Sequence, residues 1–231
     1  MVIRVFDDYI DNDRLVISDE FSCGSISNTN TSNQIGVLNW GTSAVGTSAP
    51  VVTAGESLHP GIVTLTTGGS SGDNNRMHLT DTASTAFCLP ADIERFSWLV
   101  RVPTITSISV RIGIGQDLNS TTFGTAGAWF SFDAAVNAAW QTITRQASTS
   151  TTNTSSVTVT ANNWYLLQCI RLSTGNWEFY INDSLKFTHS ANQPTTACNV
   201  GCMVQTATTA ARTLGVDWFK LRTKNLGQRY T

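Results

Sequence analysis

The chain has 231 residues, a formal net charge of −2 and a pI near 5.8, which argue against a nucleic-acid binder, whose surface usually carries a basic stripe. Charged residues make up 13% of it, about half the usual share, and Ser, Thr, Asn and Gly stand in their place. With 41% apolar residues it can fill a core, yet no apolar run approaches the roughly 18 residues of a membrane span.

Residues 1–18 read apart from the rest of the chain. Val2, Ile3, Val5, Phe6, Tyr9 and Ile10 are apolar or aromatic, punctuated by Asp7, Asp8, Asp11, Asp13 and Arg14. The segment has no leader-like apolar region and turns acidic at once, so no secretory signal is expected. It reads either as an edge strand of the domain or as an extended arm that joins a partner's sheet edge. From Asp19 the chain becomes polar and turn-rich, with a Ser/Thr/Asn loop at 25–33. Short strands are expected at Gln34–Trp40 and Gly61–Thr67, the second stopped by Gly68-Gly69-Ser70-Ser71-Gly72.

The middle holds the strongest alternation. Arg95–Pro103, Ser109–Gly115, Ala128–Asp133 and Trp140–Gln146 come in succession, then a Ser/Thr run at 148–156 and a short strand at Ser156–Thr160. Trp164–Leu172 leads through Ser173-Thr174-Gly175-Asn176 into Trp177–Ile181, and Asn182-Asp183-Ser184 turns the chain into Leu185–Phe187. Gly201–Gln205 and Leu214–Arg222 close the domain, leaving 224–231 as a tail. No segment sustains a 3.6-residue apolar period. The strands recur every 10 to 15 residues without a linker, so the chain reads as all-β: one two-sheet antiparallel sandwich over 19–223.

Five cysteines, at 23, 88, 169, 198 and 202, show no C-x-x-C spacing. Cys198 and Cys202 lie about 13 Å apart if extended, too far to bridge without a tight turn. Free, buried thiols in a reducing cytosol are expected.

Several stretches carry a family likeness. These are Ser32–Gly36 through Trp40, His59-Pro60-Gly61-Ile62-Val63, Arg111–Gly115, Trp177–Asn182 and Val216–Leu221. On them the chain resembles the concanavalin A-like (LamG-like) jelly rolls found in tailed-bacteriophage structural proteins. The resemblance implies a virion component assembled in the host cytoplasm, with the major capsid protein or copies of itself as partners. A homo-oligomeric capsid decoration or cement protein, attached through the N-terminal segment, is the expected role. A glycan-binding tail or tail-fibre module is the alternative.

Fold does not fix function, so any chemistry must come from particular residues. Glycosidases need two carboxylates roughly 5–10 Å apart. The four glutamates (Glu20, Glu56, Glu94, Glu178) offer no acid two residues away on a regular strand; Asp92 precedes Glu94 in a turn. No catalytic residue is expected. The G-x-S-x-G at 68–72 lacks a following helix and reads as a hairpin loop. His59, His78 and His189 lack ligand spacing, and no metal or cofactor is expected. Asp73–Asn75, or Asp117 with Asn119, hold the loop oxygens that a calcium would draw on, but without EF-hand spacing. Trp98, Trp164, Trp177 and Trp218 read as core. Trp129 alternates with Phe130 and Phe132, which puts Trp129, Ser131 and Asp133 on an outer face. With Arg111, Tyr180 or Arg101 from neighbouring strands they form a candidate glycan or protein contact, unless a loop covers them.

Overall fold

The computed structural model describes residues 14–21, 35, 36, 38, 40–46, 51–57, 59–80 and 82–224. Val2, Ile3, Val5, Phe6, Tyr9 and Ile10 lie outside the described residues, as does Cys23.

Two antiparallel sheets form a sandwich, as the alternation predicts. Sheet one runs β13 (Ser184–His189), β12 (Trp177–Ile181), β11 (Trp164–Arg171), β6 (Ile93–Arg101), β15 (Thr213–Lys224), β4 (His59–Thr66) and β3 (Val51–Glu56). The far end of β15 pairs instead with β1 (Arg14–Asp19), from Arg14 opposite Lys224 to Asp19 opposite Phe219. Residues 14–18 of the N-terminal segment therefore lie in an edge strand of the chain's own sheet. Sheet two runs β10 (Thr149–Thr158), β9 (Ala139–Gln146), β8 (Gly127–Asp133), β7 (Ile108–Gly115), β14 (Asn199–Thr206), β5 (Asn74–His78) and β2 (Gly41–Val45). Among the described residues the helical content is one 3₁₀ turn, Pro90–Asp92.

Period-2 alternation fills the space between the sheets. Val110, Ile112 and Ile114 of β7, Phe130 and Phe132 of β8, and Val200 and Val204 of β14 meet Phe96, Trp98 and Val100 of β6 and Phe179 of β12 in one buried cluster. Trp40, Trp98 and Phe219 pack ring to ring at 4.5–5.4 Å, and Phe130 meets Phe179 edge-on at 5.2 Å across the layers. Removing one such ring costs about 3–5 kcal/mol. Cys169, Cys198 and Cys202 are buried and Cys88 half-buried, all as free thiols.

The structure departs from the sequence reading in places that have physical causes. The Ser/Thr run is a strand, not a connection: β10 pairs with β9 from Thr149 opposite Gln146. Its two-residue turn, Ala147-Ser148, has positive φ at both positions (47° and 68°), a conformation usually signalled by Asn or Gly. Asn182 (51°) and Asp183 (61°) make the equivalent turn between β12 and β13 with the expected chemistry. Ile35 and Trp40 are joined by one isolated bridge, and among the described residues of 34–40 none lies in a strand. Trp218 is half-buried because a bulge between Val216 and Trp218 rotates it out of register. Trp164 is half-buried against His59.

Candidate functional site

Alternation sends the other half of each strand outward, and on sheet two the register aligns those residues into rows. One row crosses the whole sheet: Ser43, Arg76, Met203, Arg111, Ser131, Gln141 and Thr154 are successive cross-strand partners. The row beside it runs His78, Gly201, Gly113, Trp129 and Ile143. On the other side stand Asn74, Gln205, Ser109 and Asp133.

The β7–β8 connection folds back over one half of this face. Leu118 donates its N–H to Ala83 O at 3.0 Å, and Phe123 sits on Trp129 with ring centroids 5.6 Å apart. Ala83, Leu118, Phe123, Trp129 and Met203 make a second small core outside the sandwich. The glycine floor permits this: a Cβ on Gly115 would lie 2.7 Å from Phe123, and one on Gly201 would lie 2.6 Å from Leu118. Trp129 is 3% exposed. The covering loop is therefore the outcome for Trp129, which is a packing residue and not a contact surface.

Trp129, Ser131, Asp133 and Arg111 do share one face, as alternation predicts. Tyr180 does not join them. It stands on β12 of sheet one, opposite Gln168, and its hydroxyl donates to Glu178 Oε2 at 2.7 Å. That bond to the carboxylate holds the phenol proton and raises the Tyr180 pKa. Arg101 is on sheet one as well. Alternation alone cannot assign hairpin-distant strands to a sheet, so it groups both residues wrongly.

Sequence reasoning missed Arg76, Met203 and Gln205. Arg76 is 5% exposed and forms no hydrogen bond or ion pair with any described residue; its Nε is buried without a partner. Burial lowers its pKa, and the charge of Asp117 opposes that. Arg111 is half-buried, with Nη1 buried and unpartnered. Its pKa is lowered by burial and by Arg145, against the pull of Asp133. Ser43 Oγ, Ser109 Oγ and Trp129 Nε1 are likewise buried without partners. The core tryptophans Trp98, Trp140 and Trp177 have orphan indole N–H groups too, but those are neutral. A desolvated guanidinium costs far more.

At the uncovered end the face drops into a cleft of about 280 Å³, lined by Ser71, Ser107, Ser109, Asp133, Gln205 and Ala207. Asp133 Oδ1 accepts Ala135 N–H at 3.0 Å, and Gln205 Nε2 donates to Gly72 O at 3.3 Å. Among the described residues, Asp133 is the one carboxylate at an outward strand position of sheet two.

Sheet one carries a different cluster. His59 Nδ1 lies 2.8 Å from Asp217 Oδ2, and the imidazole stacks on Trp164 at 4.3 Å. The Arg101 guanidinium lies 4.8 Å over Trp164 and grips Glu56 at 2.8 and 2.9 Å. His59 is thus a strand residue whose imidazole is held by Asp217 on one side and Trp164 on the other. These groups partner one another, and they tie the β3–β4 hairpin to β6, β11 and β15. Among the described residues no three His, Cys, Asp or Glu side chains gather as metal ligands would.

The architecture is that of a concanavalin A-like, two-sheet jelly-roll sandwich. Residues 58–217 match the family model described as SO2946-like, C-terminal domain, and the chain belongs to that family. A protein of unknown function from Shewanella oneidensis MR-1, SO2946, superposes with a TM-score of 0.66 at 13% identity, over 95% of this chain and 90% of that one. The Emp47p carbohydrate recognition domain gives 0.58 at 9% identity, over 91% and 95%. A Bacillus licheniformis β-glucanase gives 0.55 at 11% identity, over 89% and 97%. Both binding domains and glycosidases thus share this fold with the chain. No curated protein has a matching sequence.

Proposed function

We propose that the protein is a non-catalytic carbohydrate-binding module, and that the outer face of sheet two with its end cleft is the seat. The observation that carries this is the concentration of unpartnered polar groups there: Arg76 Nε, Arg111 Nη1, Ser109 Oγ and Ser43 Oγ. Buried polar atoms are rarely left without partners, and a hydroxyl-rich ligand supplies them. The cleft is close in size to a small-ligand pocket, and Ser109, Asp133 and Gln205 offer the donors and acceptors that sugar hydroxyls take. Glycosidic hydrolysis requires a second carboxylate, and the outward strands of this sheet supply Asp133 alone among the described residues. The sandwich is a scaffold on which Emp47p carries carbohydrate recognition, which is an argument by fold only.

The test is glycan-array binding followed by titration calorimetry. Binding that weakens at least tenfold in Asp133→Asn and in Ser109→Ala, with the melting temperature unchanged, supports the reading. Binding indifferent to both variants, or turnover of the glycan, overturns it.

A second reading, attachment to a virion, is favoured by one feature. Leu15 and Val16 of the edge strand β1 are 45% and 44% exposed, so β1 offers apolar side chains beside the apolar segment that precedes it. On this reading the N-terminal residues join a capsid protein or a second copy by strand addition. Deleting residues 2–13 then abolishes retention on particles and leaves the sandwich folded. Retention of the truncated protein rejects it.

A further inference from the structure

We propose that the sheet-two face is an anion seat, in which Arg76 and Arg111 clasp a carboxylate or sulfate group carried by the ligand. The inference rests on the carbohydrate-binding reading for its ligand class and narrows that class to acidic saccharides.

The geometry begins with the register. Arg76 and Arg111 are both cross-strand partners of Met203, one on β5 and one on β7. Two strand spacings put their Cα atoms about 9.5 Å apart, and both side chains leave the same face. An anion between two such guanidinium groups lies within reach of each. Met203 is fully buried between them, packed with Leu118, Phe123 and Trp129, so the clasp has an apolar side where it borders the loop-covered half of the face.

Charge decides against a merely structural role. Elsewhere among the described residues the sheet arginines are partnered: Arg101 holds Glu56, Arg222 and Arg14 share Glu94 at 2.8 and 3.1 Å, and Arg95 and Arg171 donate to Ser97 Oγ and Ala91 O. Arg76 and Arg111 have Asp117 and Asp133 as electrostatic neighbours, yet neither pair closes to an ion pair or a hydrogen bond. Arg145 adds a third cation beside Arg111, with its own Nη1 and Nη2 committed to Thr122 O and Ser148 O at 3.3 Å. Three cations face two carboxylates, a local positive excess in a chain whose net charge is −2. A guanidinium fork matches a planar carboxylate or a sulfate in a bidentate manner. The end cleft lies next along β7, where Ser109 precedes Arg111 by two positions on the same face, so a sugar ring in the cleft can present an acidic substituent to the clasp.

The experiment compares three probes by calorimetry at constant ionic strength: a glucuronate-containing disaccharide, its carboxyl-reduced neutral counterpart, and sodium sulfate. The acidic disaccharide should bind at least tenfold more tightly than the neutral one. Arg111→Gln and Arg76→Gln should erase that difference, and Arg111→Lys should recover only part of it. Because Arg76 is buried, each variant's melting temperature is measured, and Arg111→Gln carries the result if Arg76→Gln fails to fold. Equal binding of both sugars that Asp133→Asn weakens leaves the carbohydrate reading standing and overturns the anion seat. Sulfate binding lost in Arg111→Gln, with neither sugar bound, supports the anion seat and removes the carbohydrate reading. Binding of none of the three overturns the anion seat.

Discussion

Cys88 and Cys198 face each other across an isolated antiparallel bridge, each donating its backbone N–H to the other's carbonyl, at 3.1 and 2.9 Å. Such a hydrogen-bonded pair holds its Cα atoms about 5.5 Å apart, inside the range that a disulfide spans. Burial, with help from the charge of Asp92, pushes the Cys88 thiol up to about 12. Burial pushes Cys198 higher still, and Cys88 beside it adds to the effect. Thiolate is scarce at neutral pH, so the pair stays reduced without a strong oxidant. Treatment with copper phenanthroline should yield a Cys88–Cys198 cross-link by peptide mass spectrometry, faster at pH 9 than at pH 7. A loop of this length would add up to about 4.7 kcal/mol of stability. If native protein oxidised at pH 9 shows no such peptide, the two side chains do not meet.

Stability should fall between pH 6.5 and 4 because of His189. Thr144 Oγ1 gives its proton to Ala191 O at 2.9 Å, so it accepts from His189 Nδ1–H at 3.0 Å. Nε2 is then the acceptor for Thr142 Oγ1 at 2.9 Å and Asn153 Nδ2 at 3.2 Å. The neutral ring is satisfied, and protonation would break both of the latter bonds. Burial accordingly depresses its pKa from 6.5 to about 4. In the unfolded chain the ring takes its proton near pH 6.5, so the stability present above that pH is lost progressively as pH falls toward 4. The loss is at most about 3 kcal/mol. Melting temperature against pH should flatten over this window in His189→Gln. A curve that keeps the wild-type slope would show that another group is responsible.

Trp129→Ala should act on stability rather than on recognition. The ring is buried beneath Phe123 and beside Met203, so its loss should cost about 3–5 kcal/mol and loosen the 116–126 loop. Near-wild-type stability, by chemical denaturation, would mean that the loop does not sit on the face.

What could be read from sequence depends on range. Alternation is local, so Val110, Ile112 and Ile114 facing inward, and Trp129, Ser131 and Asp133 facing outward, were legible. So was the sandwich, because strands spaced every 10 to 15 residues leave few other architectures. Sheet membership was not legible. Tyr180 and Arg111 alternate equally well, and only long-range pairing puts them on opposite layers. Arg76 was invisible for a related reason. Arg76–Thr80 reads as a short strand after a glycine loop, but nothing local says that β5 is buried along its whole length. No local pattern announces a buried arginine, and its neighbours Met203 and Arg111 lie far away in the chain. Gly113, Gly115 and Gly201 were a partial signal: glycines in strands mark a close approach, and the covering loop is what approaches.

The last prediction concerns Asp19 and Gly36. Asp19 ends β1 and is 1% exposed. Its Oδ1 accepts the Phe21 N–H at 2.9 Å, and its Oδ2 accepts the Leu38 N–H at 3.1 Å and the Trp40 indole N–H at 3.2 Å. One carboxylate thus gathers β1, the Ile35–Trp40 turn and a core tryptophan. Gly36 lies against it with φ +66°, and a Cβ there would collide with Oδ2 and stand 2.7 Å from Cγ. Asp19→Ala should cost about 3 kcal/mol, since it strands buried donors that bonded a charge. Gly36→Ala should also be costly, for two separable reasons: a left-handed backbone, worth roughly 1–2 kcal/mol, and the clash with the carboxylate. Removing the carboxylate removes the clash and leaves the backbone cost. In the Asp19→Ala background, Gly36→Ala should therefore cost no more than about 1–2 kcal/mol, so the double variant is more stable than the sum of the singles implies. Urea denaturation of the four proteins measures this coupling, and strict additivity would show that the carboxylate and Gly36 do not touch.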